Sequence, residues 1–514
     1  MPLAGVQRVA REHPLPFWWG ISLLLAILTG IVWPTIPSYD PFSWVVWGRE
    51  VTDPHIPFLI GGGPSWKPLP FLFTTVYGLF GSAAPWLWVV TARTGGIAGL
   101  IGAFRLVQIL CDRVKLPWYA GVAGGAFAVA GIALSYYVSP WAYYFFRGTS
   151  EVLLIGVWLW AIERLVAGHH WQAYMLVAAE GLMRPEAWVF LFAYGVWLWF
   201  RRPEMRVWVV LGLVAQPVGW FGPPWISDGQ PLLAATHAHD YNGDLGTNWL
   251  NTVLQRGENL QPLPSLAFAV VAAVIALWRG RDRVVLGLVA ATAGWWIVVV
   301  AETWRGYPGL QRFFLPGAAM TAVLGGLGVV WLASVIAELV VVDIGRLLLR
   351  STSALRSLRV PVGVLAGIVM IVGSWHWATV SAAKVPSRWD TFKAQKGLAE
   401  VAVRNIDDLG TAVRELGGRE ALLPCASSQI TVNHSLQTAF AWKLGVNLER
   451  VQTQLTKPGI AFVGPPSSVD GGYPPIDFAY DKQLVARVGV WDVYRISHQG
   501  EPVPRCVGLA DHAG

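Results

Sequence analysis

Apolar runs of membrane-crossing length recur from residue 17 to residue 379 of this chain, and no other feature limits its fold so strongly. A helix needs about 20 such residues to cross a bilayer, where every backbone polar group must be paired internally. The runs fall near 17–36, 85–110, 118–138, 149–167, 172–183, 187–200, 207–225, 263–278, 284–301, 313–337 and 361–379. The fifth and sixth are short and read as a hairpin. The expected architecture is a polytopic α-helical membrane protein of about eleven spans. Only 13% of the residues are charged, roughly half the share of a soluble domain. The 30 Trp and 14 Tyr suit bilayer interfaces, and equally sugar-stacking surfaces.

The net charge of +7 matters less than where it lies. Arg8, Arg11, Arg113, Lys115, Arg164, the cluster Arg201, Arg202 and Arg206, the trio Arg279, Arg281 and Arg283, and Arg346 to Arg359 all fall in alternate connections. That is the positive-inside pattern, not the face of a nucleic-acid binder. It puts the N-terminus in the cytoplasm and the C-terminal region outside a cytoplasmic membrane crossed many times. The N-terminal run has a basic start like a signal peptide. No small-residue cleavage site follows, so it reads as a retained first span.

Hydropathy drops after Val380. Residues 1–384 are read as a membrane domain that includes a long outer loop, 37–84. Residues 385–514 are read as a small extracytoplasmic α/β domain. In it "RWDTFKAQKGLAEVAVRNIDDLGTAVREL" has helical periodicity, "ALLPC" and "IAFVG" read as buried strands, and "LVARVGVWDVYRI" as a strand or hairpin. Three cysteines are too few for a disulfide framework. Cys425 and Cys506 would be able to pair if this domain is extracytoplasmic, and Cys111 reads as a buried thiol. The basic stretch 338–360 reads as amphipathic, lying on the cytoplasmic surface.

The loop 37–84 concentrates the chemistry. "SYDPFSWVVWGRE" presents Asp40 directly after the first span. Asp before Pro41 is a good helix start, so Asp40 has a capping reading beside any catalytic one. "GGGPSWKP" breaks the chain and puts Lys67 before a proline at a second helix start. A cation is electrostatically misplaced there, whereas lysine and helix end together would suit an anion. Both helices, near 41–52 and 66–80, are expected to lie along the membrane surface.

"WKPLPFLFTTVYGLFG" resembles the Lys-Pro-Pro-Leu segment and following helix of the polyprenyl-phosphate-dependent glycosyltransferases of the GT-C superfamily. The branch is that of protein O-mannosyltransferases and aminoarabinose transferases. "WVVTARTGGIAGLIGAFRLV", "SPWAYYFFRGTSEVLL", "AAEGLMRPEAWVF" and "YPGLQRFFLPGAAM" are similar to further segments of that family, in the same order, over roughly residues 17–335. The resemblance implies that Asp40 is the catalytic base and that Glu151, where many relatives have Asp, belongs to the catalytic set. It implies that Lys67, Arg184, Arg305 and Arg312 bind the donor phosphate. Trp66, Tyr39 and His239 would line the substrate. The donor would be a polyprenyl-phosphate-linked sugar and the acceptor a cell-envelope glycan, lipid or protein.

Each residue has a plainer reading. Arg184 would serve as an interfacial anchor before Pro185, and Glu151 sits where an acid favours a helix dipole. His237, His239 and Asp240 have metal-like spacing but lack a fourth ligand, so no metal residue is assigned. No motif demands a cofactor. A divalent metal stays open, because Trp66 and Pro41 stand where some relatives carry acids. Two other functions compete with transfer. A transporter or flippase of lipid-linked intermediates would carry ionisable groups deep in its spans, where Glu180 is the best candidate. A non-catalytic membrane scaffold survives if Asp40 only caps a helix.

Overall fold

Long apolar segments fold as helices wherever proline and glycine leave them uninterrupted, and helix dominates the chain. A computed structural model describes residues 8–64, 66–133, 140–240, 248–260, 262–279, 282–344, 358–381, 385–464 and 480–509. Among them, five helical stretches are long and apolar enough to cross a membrane: Pro14–Val32, Gly81–Arg113, Pro203–Asp228, Arg283–Trp304 and Gln311–Val341. A sixth is broken, with Trp141–Arg147 meeting Ser150–Val166 at 117°. Trp118–Ala133, Leu263–Trp278 and Arg359–Ser374 are apolar but shorter. The basic stretch 345–357 lies outside the described residues.

The Pro14–Val32 helix turns Leu24 (68% exposed) and Ile31 (72%) away from the protein, as a lipid-facing helix does. The interior is built where small residues let backbones approach. A Cβ on Gly156 would stand 2.3 Å from the Gly95 carbonyl oxygen, so the Ala84–Arg113 and Ser150–Val166 helices cross in close contact there. Fully buried Arg93 then fixes the chain that leaves the first helix. Its guanidinium donates to the carbonyls of Thr29 (2.9 Å) and Pro34 (2.6 Å) and to Thr35 Oγ1 (3.1 Å). A cation at a helix C-terminus is favoured by the macrodipole, and this one aims the loop that carries Asp40.

That loop forms the Tyr39–Thr52 and Pro68–Gly78 helices. The C-terminal region docks on it through the helix Gln437–Leu444 and the turn after it. Arg49 Nη1 donates to the Trp442 carbonyl (3.0 Å) and Nη2 to that of Val446 (2.8 Å). Asn447 Nδ2 donates to the Pro57 carbonyl at 2.6 Å. Glu50, 3% exposed, accepts from the Leu59 amide, and burial pushes its carboxyl up to about 8. One hydrophobic core runs through Trp44, Trp47 and Trp66 of the loop and on to Phe440, Leu448 and Phe462. Gly62 has φ +72°, and a Cβ on Gly63 would fall 2.5 Å from Leu448, so the glycine run is where the two parts meet closely.

The C-terminal region contains the long helix Val385–Glu415 and a five-stranded sheet. Its strands are β1 (Ile430–Thr431), β2 (Val451–Gln452), β3 (Gly459–Val463), β4 (Tyr480–Val488) and β5 (Trp491–His498), in the order β2-β1-β3-β5-β4. β1 pairs parallel with β2 and β3; β5 pairs antiparallel with β3 and β4. "IAFVG" supplies β3, and "LVARVGVWDVYRI" a hairpin turning at Gly489. "ALLPC" is not a strand. Its first two residues end the Gly418–Leu422 helix, which cannot continue through Pro424, and the strand begins later at Ile430. Cys425 and Cys506 are joined in a disulfide, and Cys111 is free and buried.

Candidate functional site

The break between Trp141–Arg147 and Ser150–Val166 falls at Gly148 (φ +60°), whose carbonyl accepts from Trp88 Nε1 at 2.7 Å. It places the start of the second helix, with Ser150 and Glu151, under the loop 37–84. Ser38 N donates to the Arg147 carbonyl at 3.0 Å, which joins the two segments. Ser38, not Asp40, is the cap of the Tyr39–Thr52 helix. Asp40 is therefore the second helical residue, and its side chain is free to point elsewhere. Its Oδ2 accepts from Arg312 Nη1 at 2.9 Å.

Lys67 lies in extended backbone (φ −140°, ψ 114°) just before the Pro68–Gly78 helix. The expected anion site at that helix end does not form from backbone amides. Pro68 and Pro70 have none, and the Leu69 amide donates to the Leu182 carbonyl at 3.0 Å. The lysine itself turns inward, donating to Ser150 Oγ at 2.7 Å, with Nζ 3.5 Å from Glu151 Oε1. Burial brings its ammonium down to about 8, against the opposing pull of Glu151.

Glu151, 1% exposed, collects the surrounding cations. Arg184 Nη2 donates to its Oε1 at 2.7 Å, and Arg312 Nε stands 4.0 Å from the same oxygen. Arg184 also packs 4.5 Å from the Phe313 ring centroid. Removing Glu151 would leave three cations facing one another, the situation in which a broken buried pair costs most.

These groups open onto a cavity of about 1070 Å³. Five cationic side chains line it, Lys67, Arg147, Arg184, Arg305 and Arg312, against the carboxylates Asp40, Glu186 and Glu302. Much of the remaining wall is apolar or aromatic, including Met183, Trp188, Trp220 and Phe221. Ala399, Ala402 and Ile406 of the long C-terminal helix close one side. Cations in a largely apolar cavity suit an amphiphilic anion. A divalent cation does not fit beside Asp40, because Asp40 and Glu151 are both already paired with basic side chains.

Of the residues expected from sequence, the structure brings Tyr39, Asp40, Lys67, Arg184, Arg305 and Arg312 to this one cavity. Arg305 is on its exposed rim, away from the Glu151 cluster. Glu151 stands behind the wall, holding cations instead of facing the space. Trp66 does not line the cavity: it is fully buried, with Nε1 donating to the Gly219 carbonyl at 3.0 Å. Neighbours in extended backbone point to opposite sides, so a Lys67 that turns to the site sends Trp66 into the core. His239 lies on the helix Leu233–Asp240, its side chain outside the described residues, while His237 lines the cavity. The sequence reading missed Arg147, Glu186, Glu302 and His434. Glu186 and Glu302 carried a signal as acids in the short connections 184–186 and 302–312 between apolar runs. Nothing in the sequence linked His434 to Asp40.

No protein-family model matches the sequence, and no curated protein does. Solved structures share its fold. ArnT from Cupriavidus metallidurans bound to undecaprenyl phosphate aligns over 93% of this chain and 97% of its own, at 14% identity and a TM-score of 0.50. Its apo state aligns over 94% and 98%, at 13% identity and 0.49. An Archaeoglobus fulgidus oligosaccharyltransferase tethered with an acceptor peptide aligns over 85% of this chain and 63% of its own, at 13% identity and 0.43. The chain shares the fold of that undecaprenyl-phosphate-bound ArnT structure.

Proposed function

We propose that this protein is an integral-membrane, inverting glycosyltransferase. It takes a glycosyl group from a polyprenyl-phosphate carrier and gives it to a hydroxyl of a cell-envelope acceptor. The observation that carries this reading is the meeting of one accessible carboxylate, Asp40, with Lys67, Arg184 and Arg312 at the wall of a large, mostly apolar cavity. ArnT was solved bound to undecaprenyl phosphate, which supports a carrier of that kind at the level of the fold.

In this reading each of these residues has a role. Lys67 and Arg184 hold the carrier phosphate, and Glu151 keeps both in place. The acceptor oxygen attacks the anomeric carbon as its bond to phosphate breaks. The acceptor proton passes to Asp40, and the departing phosphate takes the bond's electron pair, its charge met by the cations. Arg312 orients the base. Glu186 and Glu302 offer acceptors to sugar hydroxyls, and Arg305 meets the substrate at the rim. One displacement, with no covalent glycosyl-enzyme, inverts the anomeric centre. We further place the site on the outer face of the cytoplasmic membrane. In this reading the N-terminus is cytoplasmic, shorter helices complete about eleven crossings, 1–384 form the catalytic membrane domain and 385–514 an extracytoplasmic domain.

The test compares purified wild type with Asp40→Asn on a panel of labelled polyprenyl-phosphate sugars, with a cell-envelope extract as acceptor. Transfer by wild type, lost in a folded Asp40→Asn protein, is the expected result. Equal transfer by both removes Asp40 from catalysis, and no donor consumption by either overturns the transferase reading.

A second reading, movement of a lipid-linked intermediate, is favoured by Glu180. It is fully buried at the end of the His170–Gly181 helix, and neither carboxylate oxygen has a hydrogen bond within the described residues. The same preparation in liposomes separates the two, because a flippase relocates the labelled carrier without consuming it.

A further inference from the structure

A second pocket, of about 490 Å³, lies at the seam between the loop 37–84 and the C-terminal region. Tyr39 and His434 line it, and both also line the main cavity. Their rings lie 4.4 Å apart between centroids, and the Tyr39 hydroxyl donates to Gln437 Oε1 at 2.9 Å. This pair is the partition between the two spaces. Asp40, the next residue in the chain, opens on the main cavity. The spaces therefore meet beside the carboxylate to which the proposed function gives the acceptor proton.

Their walls differ in kind. The main cavity is largely apolar and cationic, as a lipid phosphate requires. Among the described residues the second has no aliphatic side chain in its wall: beyond Tyr39 and His434 it offers Gly62, Gln437, Glu449, Gln452 and Thr453. Gln437 is committed to the fold, its Nε2 donating to the carbonyls of Gly62 (3.1 Å) and Val451 (2.8 Å). Glu449, which is exposed, the half-buried Thr453 and the Oε1 of half-buried Gln452, whose Nε2 donates to the Glu449 carbonyl at 2.6 Å, remain to meet a ligand. A carboxylate, an amide and a hydroxyl satisfy neighbouring hydroxyl groups, and aromatic faces at the partition suit the C–H face of a sugar ring. The single acidic charge disfavours an anionic ligand, and the lack of an apolar subsite disfavours a peptide side chain.

We propose that this pocket is the acceptor subsite, and that it holds the terminal sugars of a neutral glycan so that one hydroxyl passes the Tyr39–His434 edge to Asp40. The assignment rests on the transferase reading above.

The test uses the full chain in detergent, with Thr453→Trp to fill the pocket and Glu449→Gln as a milder change that preserves volume. Binding is measured for undecaprenyl phosphate, for a panel of octyl-linked mannose, arabinose, glucose and galactose disaccharides, and for an acidic disaccharide and a short peptide as controls. Wild type is expected to bind at least one neutral disaccharide. Both variants weaken it, Thr453→Trp by about tenfold or more, while undecaprenyl phosphate binds all three proteins alike. If wild type binds undecaprenyl phosphate but no disaccharide, or if both variants bind the disaccharide as wild type does, the acceptor assignment falls and the transferase reading stands. Tighter binding of an acidic disaccharide or a short peptide, displaced by Thr453→Trp, also overturns it. Failure of wild type to bind undecaprenyl phosphate removes the transferase reading and this one with it.

Discussion

Arg312 Nη1 donates to Asp40 Oδ2 at 2.9 Å, joining residues 272 positions apart. The bond ties the start of the Tyr39–Thr52 helix to the turn that leads into the Leu315–Glu338 helix, and both side chains remain about a quarter exposed to the cavity. A carboxylate held by one oxygen keeps the other available. Asp40→Asn should leave the thermal midpoint nearly unchanged, since the amide oxygen still accepts from Arg312. Transfer should fall by about 10²–10⁴, the usual contribution of general base catalysis. Turnover measured beside a melting curve checks both halves.

Glu151 carries a different expectation. Glu151→Gln leaves Lys67, Arg184 and Arg312 without their shared counter-charge, and a broken buried pair costs about 3–5 kcal/mol. The midpoint should drop clearly. Undecaprenyl phosphate should restore more stability to the variant than it adds to wild type, because the phosphate replaces the missing charge. Thermal scans with and without carrier measure the difference, and equal shifts would contradict the clamp.

Lys67 makes carrier binding depend on pH. Burial lowers its ammonium to about 8, with Glu151 resisting. A phosphate prefers the charged form, so affinity for undecaprenyl phosphate should be full below that value and decline as pH rises through it. Lys67→Arg, charged throughout the range, should flatten the profile between pH 7 and 9. Equilibrium binding at constant ionic strength tests this.

Glu50 makes the docking of the C-terminal region depend on pH in a separate way. Burial raises its carboxyl from 4.5 to about 8, so the folded protein binds a proton there that the unfolded chain releases. Stability is then greatest below the unfolded value and is lost as pH rises from about 4.5 towards 8. Glu50→Gln should remove that slope. Melting curves across the interval, on both proteins, give the comparison.

Much of this arrangement could be read from the chain because local chemistry specified it. Apolar runs announced membrane helices, and an Asp after the first run with a Lys before a proline marked the loop that lines the cavity. The count of crossings was less legible. Among the described residues, Leu263–Trp278 matches its run but has only 16 residues, and residues 141–166 form two helices at 117°. Length and hydropathy do not encode a bend at Gly148. Trp66 was misread because adjacency in sequence does not mean a shared side in extended backbone. Glu151 could be seen as an acid at a helix start, but its three cations come from distant segments. His434 reaches the site through the docking of the C-terminal region on the loop, by the packing of Phe440 and Leu448 and the bonds of Arg49 and Asn447, a tertiary effect with no local signature.

Arg49, Asn447 and the glycine run at 61–63 make the loop and the C-terminal region a single piece. A chain cut at residue 385 would therefore not yield a minimal membrane enzyme. It would bare Trp44 and Trp47 to water, open the cavity wall formed by Ala399 and Ile406, and remove Gln437 and Thr438, which hold Tyr39 beside Asp40. Truncation, chimeric exchange and tag insertion at that junction should thus be treated as surgery on the cavity itself, however far along the chain they fall.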